Sequence, residues 1–263
     1  GNVDFMSTVW YKRTVRIPAA WQKDGRRTLI HFGACDYQTE VYVNGKSVGT
    51  HIGGYISFTF DITSALVPGS NLITVCAYDD VRGRKQPTGK QSQRYNSYAC
   101  VYTRTTGIWQ TVWLENVENA YIERTKLTPD VKASSLLFEG FCKNADGMTM
   151  KAEAFYDCKP VGEASGTVTG RYAAFSIKLN KLVLWGVGDQ KLYDLKLTLG
   201  DDKVDSYFGM RDIVCDGKKI YINGKAVFQR LILDQGFYPD GIYTAPSDAE
   251  LQKDIQRSRD MGF

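Results

Sequence analysis

The stretch TLIHFGACDYQTEVYVNGKSVGTH, Thr28–His51, decides how the chain is read. Val41 and Val43 alternate with Tyr42, Asn44-Gly45 follows, and Val48 resumes the apolar pattern. A period of two places one side of a strand in a core and the other in water. Asn-Gly between two such runs is the strongest short hairpin signal, because both turn positions need positive φ. The same grammar runs outward from this hairpin. YISFTFDIT (Tyr55–Thr63) sets Ile56, Phe58 and Phe60 on one face and Ser57, Thr59 and Asp61 on the other. NLITVCAYD (Asn71–Asp79) reads as another strand, and GIWQTVWLENV (Gly107–Val117) as the last, with Trp109 and Trp113 on one face. Short strands with turn signals every ten residues or so predict a sandwich or jelly roll up to about Asn119. Between the last two strands lies DDVRGRKQPTGKQSQRYNSY (Asp79–Tyr98), a long basic loop rich in Gly and Gln. Long loops on a rigid β scaffold are usually functional or mobile.

A second region, 120–212, keeps the β style. SSLLFEGFCKN (Ser134–Asn144), MTMKAEAFYD (Met148–Asp157), YAAFSIKLN (Tyr172–Asn180) and KLYDLKLTLG (Lys191–Gly200) are strand candidates. About seven short strands in such a length fit an immunoglobulin-like sandwich, although no Cys–Trp–Cys pattern marks an antibody domain. A third region, 213–263, opens with KKIYINGKAVFQRLIL (Lys218–Leu233), a second Asn-Gly hairpin that feeds an apolar strand. Pro239-Asp240-Gly241 is a turn, and Ser247 three residues before Glu250 is a capping box. The helix that follows puts Leu251, Ile255 and Met261 towards one side and leaves Lys253, Asp254 and Arg257 exposed. A lone strand and helix cannot bury their own apolar faces.

Composition bounds the function. With 43% hydrophobic and 24% charged residues the chain is globular rather than disordered. Its net charge of +4 is small and evenly spread, which argues against a nucleic-acid partner. No run approaches the roughly 20 apolar residues of a membrane helix, so no membrane partner is expected. Six cysteines form no CxxC motif, and His31 and His51 are the only histidines, so neither a metal site nor a cofactor is expected. Several cysteines lie in apolar alternating runs and read as buried thiols, a weak pointer to a reducing compartment. Gly1 ahead of NVDF reads as an added residue, so the absence of a signal leaves cytoplasm and periplasm both open.

Five stretches, taken in order, resemble glycoside hydrolase family 2: VWYKRTVRIPAAW (Val9–Trp21), VYVNGKSVGTHIGGYISFTFDIT (Val41–Thr63), YTRTTGIWQTVWLENV (Tyr102–Val117), LWGVGDQKLYDLKLTLG (Leu184–Gly200) and INGKAVFQRLILDQGFYPDGIYTAPSD (Ile222–Asp248). That family includes β-galactosidases, β-glucuronidases and β-mannosidases. The resemblance implies a mainly β chain: a jelly-roll (galactose-binding-like) sandwich over 1–119, an immunoglobulin-like β-sandwich over 120–212, and over 213–263 the first strand and helix of a truncated TIM barrel. Such a barrel needs about 250 residues. The family's retaining chemistry uses two glutamates about 5 Å apart, on later barrel strands, so no residue of this chain is expected to be catalytic. The expectation is an N-terminal, non-catalytic fragment of a retaining exo-glycosidase, a β-galactosidase first and a β-glucuronidase or β-mannosidase second. Its partner would be a carbohydrate substrate, with a homo-oligomer open because family members often assemble. A free-standing carbohydrate-binding module is the alternative. The tail from Phe228 is expected to be poorly ordered, docked in a non-native way or paired with another copy.

The resemblance also nominates residues. Asp36 falls eight positions before Asn44, where galactosidases of the family place a sugar-contacting asparagine, and a carboxylate accepts sugar hydroxyls well. Gln235 falls where many members place a barrel histidine near the sugar. It follows Asp234 at the strand end where barrel sites are built. Three departures stand against simple transfer: Val101 replaces a common aspartate, Leu231 a glycine, and Gln235 the histidine. Arg82, Arg84 and Lys85 read as a solvated basic loop. The tryptophans Trp10, Trp21, Trp109, Trp113 and Trp185 read, for the most part, as core.

Overall fold

In the computed structural model the described residues are 5–83 and 85–263; Gly1 and Arg84, both singled out in the sequence, lie outside them. Two compact units divide the chain, one of residues Gly1–Asn116 with Arg230–Phe263, the other Val117–Gln229.

The first unit carries β1 (Thr8–Ile17), β2 (Arg27–Phe32), β3 (Cys35–Asp36), β4 (Gln38–Val43), β5 (Lys46–Ile52), β6 (Phe58–Asp61), β7 (Gly69–Tyr78), β8 (Gly107–Ile108) and β9 (Val112–Val117). They form a four-stranded sheet β1-β7-β4-β5, a three-stranded sheet β6-β2-β9 and a short β3-β8 ladder. Both larger sheets feed one core. Ile30 and Phe32 from β2 meet Val41 and Val43 from β4 and Ile73 and Val75 from β7. The Asn44-Gly45 hairpin forms as its sequence predicts, with φ of 52° and 79°. Asn44 does more than turn the chain. Its Nδ2 donates to Ala65 O at 2.9 Å and Asn71 Oδ1 at 2.8 Å, and its Oδ1 accepts from Leu72 N at 2.9 Å. The turn is thereby tied to the neighbouring strand as well as to its own.

The expected final strand is broken in two. Gly107–Ile108 pairs with Cys35–Asp36, and Val112–Val117 belongs to the β2 sheet. Trp109 falls between them, so it shares no strand face with Trp113. Ile56 also lies outside β6 and is exposed. None of the five tryptophans is buried; Trp10 is 57% exposed. Alternation predicted their side correctly only in part, since a strand face can be wet as well as dry. Of the cysteines, Cys35 and Cys142 are buried, Cys76 is half-buried, and Cys100, Cys158 and Cys215 are exposed, all with free thiols.

The second unit holds β10 (Tyr121–Asp130), β11 (Ser135–Lys143), β12 (Thr149–Tyr156), β13 (Lys159–Thr167), β14 (Tyr172–Lys178), β15 (Tyr193–Leu199) and β16 (Asp202–Phe208). Sheets β10-β11-β14 and β13-β12-β15-β16 share a core that includes Leu136, Phe138, Met150, Ile177, Leu195 and Leu197. The same unit continues past residue 212, the expected boundary, with β17 (Ile213–Asp216), β18 (Lys219–Ile222) and β19 (Lys225–Val227), a three-stranded meander turned at Asn223-Gly224. Asn223 repeats the device of Asn44: its Oδ1 accepts from Asp212 N at 3.0 Å and its Nδ2 donates to Trp185 O at 2.8 Å.

The apolar run expected to continue as a strand from Phe228 does not form one. No ladder includes residues 228–233, and Phe228, Leu231 and Leu233 are 88%, 75% and 81% exposed. A strand exists only through its neighbours' hydrogen bonds, and none lies alongside this run among the described residues. The helix does form. α1 (Asp248–Asp260) is capped by Ser247, whose side chain accepts from Glu250 N. Asp248 and Glu250 stand in its first turn and Arg257 and Arg259 in its last, complementing the helix dipole. It buries no residue of its own. No helix among the described residues is long and apolar enough to cross a membrane.

Candidate functional site

The residues nominated in the sequence are positioned by the first unit. Asp36 ends β3, opposite Gly107. It is 1% exposed. Its Oδ2 accepts from Gln91 Nε2 at 2.8 Å, and Gln91 Oε1 accepts from Thr105 N at 2.7 Å. Its Oδ1 is buried without a hydrogen-bond partner. Gly54 permits this placement: a Cβ there would come within 2.2 Å of Asp36 Oδ1. Burial comes first in holding the Asp36 carboxyl up, to about 7, with the negative charge of Asp79 second; the Gln91 bond opposes both. Asp79 is also buried and is pushed up to about 6 by burial, against hydrogen bonds from Thr106 and Gln86.

The long loop turns out to be the organiser. Lys90 and Gln91 run beside Tyr102, with Tyr102 N donating to Lys90 O and Ser92 N to Tyr102 O, each at 2.7 Å. Gln91, 3% exposed, faces in to Asp36. Lys90 faces out, and its Nζ donates to Gln235 Oε1 at 3.1 Å. Tyr102 donates its hydroxyl to the same Gln235 oxygen and stacks on Phe237, with ring centroids 4.3 Å apart. Adjacent residues of one loop therefore reach two of the nominated side chains, Asp36 and Gln235.

An aromatic trio holds the following segment. Tyr55, Trp109 and Tyr243 meet pairwise with centroids 5.6–5.9 Å apart, a spacing at which tilted rings attract. Trp109 Nε1 donates to Gly54 O at 2.8 Å, and Thr244 donates its hydroxyl to Trp109 O. Burial raises the hydroxyl pKa of both Tyr55 and Tyr243, so both remain protonated donors at neutral pH.

Asp234 is different. It is exposed, and its Oδ1 accepts from Gly236 N at 2.8 Å, closing its own turn. It lines a cleft of about 790 Å³ with Trp109, Trp113, Tyr238, Tyr243 and Leu251, and Asp36 is not among that cleft's walls. Gln91, Lys90, Tyr102, Tyr55, Tyr243 and Asp79 were not anticipated. For Asp79, Lys90 and Gln91 the one sequence signal is the polar, Gln-rich wording of the loop, which has no period; Tyr55, Tyr102 and Tyr243 lie outside it and carry none. Val101, the departure, is half-buried and bridges to Tyr98. Arg82 donates to Gln93 O and lies over the Phe5 ring at 3.3 Å, while Lys85 is exposed. Among the described residues no cluster of three or more His, Cys, Asp or Glu could hold a metal ion.

The chain matches two family models in succession. Residues 3–116 match the sugar-binding domain of glycosyl hydrolases family 2, and residues 120–211 match a second model of glycosyl hydrolases family 2. A relative from Formosa agariphila is 30% identical over 96% of this chain and 31% of its own length. A β-galactosidase of Thermoanaerobacterium thermosulfurigenes is 26% identical over 85% of this chain and 34% of its own. The crystal structure of Bacteroides uniformis β-glucuronidase superposes with a TM-score of 0.79 at 23% identity, over 98% of this chain and 33% of that one. The chain thus spans about a third of the length of these relatives. Two models of one family, adjacent and in the order in which the two β units follow each other, leave one assignment: this chain belongs to glycosyl hydrolase family 2.

Proposed function

We propose that this chain supplies a sugar-facing, non-catalytic wall of a retaining exo-glycosidase that hydrolyses terminal β-glycosides. In this reading residues 1–119 are a jelly-roll sugar-binding domain, 120–212 an immunoglobulin-like sandwich, and 213–263 the start of a barrel that brings the two reactive glutamates. One observation carries it: Asp36 is buried with one oxygen lacking a partner, and the loop beneath it also grips Gln235. A buried polar atom without a partner is costly, and a sugar hydroxyl would satisfy it. Asp234, bonded within its own turn, would contribute from the adjoining cleft.

Among substrates we favour a β-glucuronide over the β-galactoside expected from the sequence. The Lys90 ammonium at Gln235 and an Asp36 carboxyl that burial pushes up to about 7 both suit an acidic sugar. The names of the B. uniformis structure and of a Paenibacillus borealis relative, both β-glucuronidase, point the same way; that of the T. thermosulfurigenes relative supports the galactoside. Hydrolysis of nitrophenyl β-glucuronide, β-galactoside and β-mannoside by the polypeptide that joins this chain to a complete barrel tests the reading. The glucuronide should be preferred. Asp36→Leu and Gln235→Ala should each lower kcat/KM by about 10-fold or more, the loss of a hydrogen bond to the sugar. Turnover by residues 1–263 alone, or indifference to both substitutions, would refute it.

A further inference from the structure

Two buried carboxylates, Asp36 and Asp79, lie on neighbouring stretches of chain here. Gln38 pairs with Tyr78, and Tyr37 N donates to Tyr78 O at 3.3 Å, so the chain at Asp36 runs beside the chain at Asp79. Thr105 and Thr106 span the two. Thr105 N donates to Gln91, which holds Asp36; Thr106 Oγ1 donates to Asp79 Oδ2 at 3.2 Å. Gln86 Nε2 donates to Asp79 Oδ1 at 2.5 Å.

The two sites differ in donors. Both oxygens of Asp79 accept a hydrogen bond, whereas Asp36 accepts one and leaves Oδ1 bare. Donors favour the ionised form, and two like charges at close quarters disfavour a second ionisation. A pair with one proton between them therefore keeps the charge on Asp79 and the proton on Asp36. The other groups facing them do not reverse this. Around Asp36 stand Cys35, Tyr55 and Tyr243, all neutral at pH 7. Around Asp79 stand Asp80, Arg82 and Arg104; the two guanidinium groups lie over the Phe5 ring at 3.3 and 3.8 Å, and their positive charge favours the ionised form of Asp79.

We propose that Asp79 is a positioning residue for the sugar subsite: with Gln86, Thr106, Thr105 and Gln91 it keeps the shared proton on Asp36 Oδ1, so that Asp36 meets a sugar oxygen as a hydroxyl donor rather than as an anion. This rests on the sugar-facing reading of Asp36 above and adds to it the state in which Asp36 works. The raised titration of both groups agrees.

The test follows the Asp36 carboxyl carbon by NMR through a pH titration of the 263-residue chain, with the signal assigned by its loss in Asp36→Asn. Asp36 should be the later of the pair to ionise. Asp79→Asn should lower its midpoint by about one pH unit, the effect of removing a neighbouring like charge. Gln86→Leu provides a second route if the first variant does not fold. It strips a donor from Asp79, which then holds its proton to higher pH, and Asp36 should ionise earlier. A merely structural role would move neither midpoint. Midpoints unchanged in the folded variants overturn the proposal, whatever sugar does. Glucuronate titrations at pH 5.5 and pH 8 separate the underlying reading. Tighter binding at the lower pH supports a donor at Asp36. A shifted midpoint with no sugar bound at either pH overturns the subsite while the proton pair stands.

Discussion

At the scale of single residues, Asp36 and Asp79 make a stability prediction with a definite sign. Their folded pKa values, about 7 and about 6, lie above the ordinary 3.8. Between those limits the folded chain holds protons that the unfolded chain has released. The pair's contribution is therefore full below about pH 4 and declines as pH rises towards 7. Urea unfolding across pH 4–8 should show Asp36→Asn flattening this decline and gaining on the order of 2 kcal/mol over the parent at pH 8. A parallel pair of curves would contradict it. Gly54→Ala belongs to the same site: its Cβ would press on Asp36 Oδ1 at 2.2 Å. Overpacking of this kind costs about 1–3 kcal/mol, read as a lower urea midpoint. Asp36 was named from the sequence because the family resemblance points to the position eight residues before Asn44, and the structure buries it there. Gln91 and Asp79 were not, because a buried polar side chain in an aperiodic loop is chosen by its partners, which lie 55 and 27 residues away.

Elements were legible where local chemistry is sufficient. Both Asn-Gly hairpins and the Ser247 cap formed as read, since each is decided within a few residues. Ser247→Ala should cost about 1 kcal/mol of helix stability. Because α1 buries nothing, the loss should appear as faster amide exchange in Asp248–Asp260 rather than as a lower midpoint of global unfolding. Reading failed where an element depends on a distant partner. GIWQTVWLENV alternates well enough to be one strand, yet two different sheets claim its ends. The run from Phe228 is apolar enough for a buried strand, and periodicity alone cannot say whether a ladder will be there to receive it. The segment after it is held by other means. Tyr102→Leu, which removes both the stack on Phe237 and the bond to Gln235, should speed amide exchange in residues 235–244 while leaving β1–β7 protected.

At the scale of the molecule, the prevalence of β structure and the seven strands β10–β16 followed from alternation and turn spacing, because short alternating runs leave few other ways to make a core. Each unit owns its core, one around Phe32 and one around Phe138, both wholly buried. Phe32→Ala and Phe138→Ala should each cost about 3–5 kcal/mol, seen as loss of near-ultraviolet ellipticity at lower denaturant. The two hairpin asparagines carry a further consequence, for chemical ageing. Asn-Gly is the dipeptide most prone to spontaneous deamidation, which proceeds when the glycine nitrogen attacks the freely rotating side-chain amide. Here Asn44 and Asn223 have both amide ends fastened to backbone or side-chain partners. Long storage of the folded protein should therefore leave both as asparagine by peptide mapping, while the same peptides cut free convert to aspartate and isoaspartate.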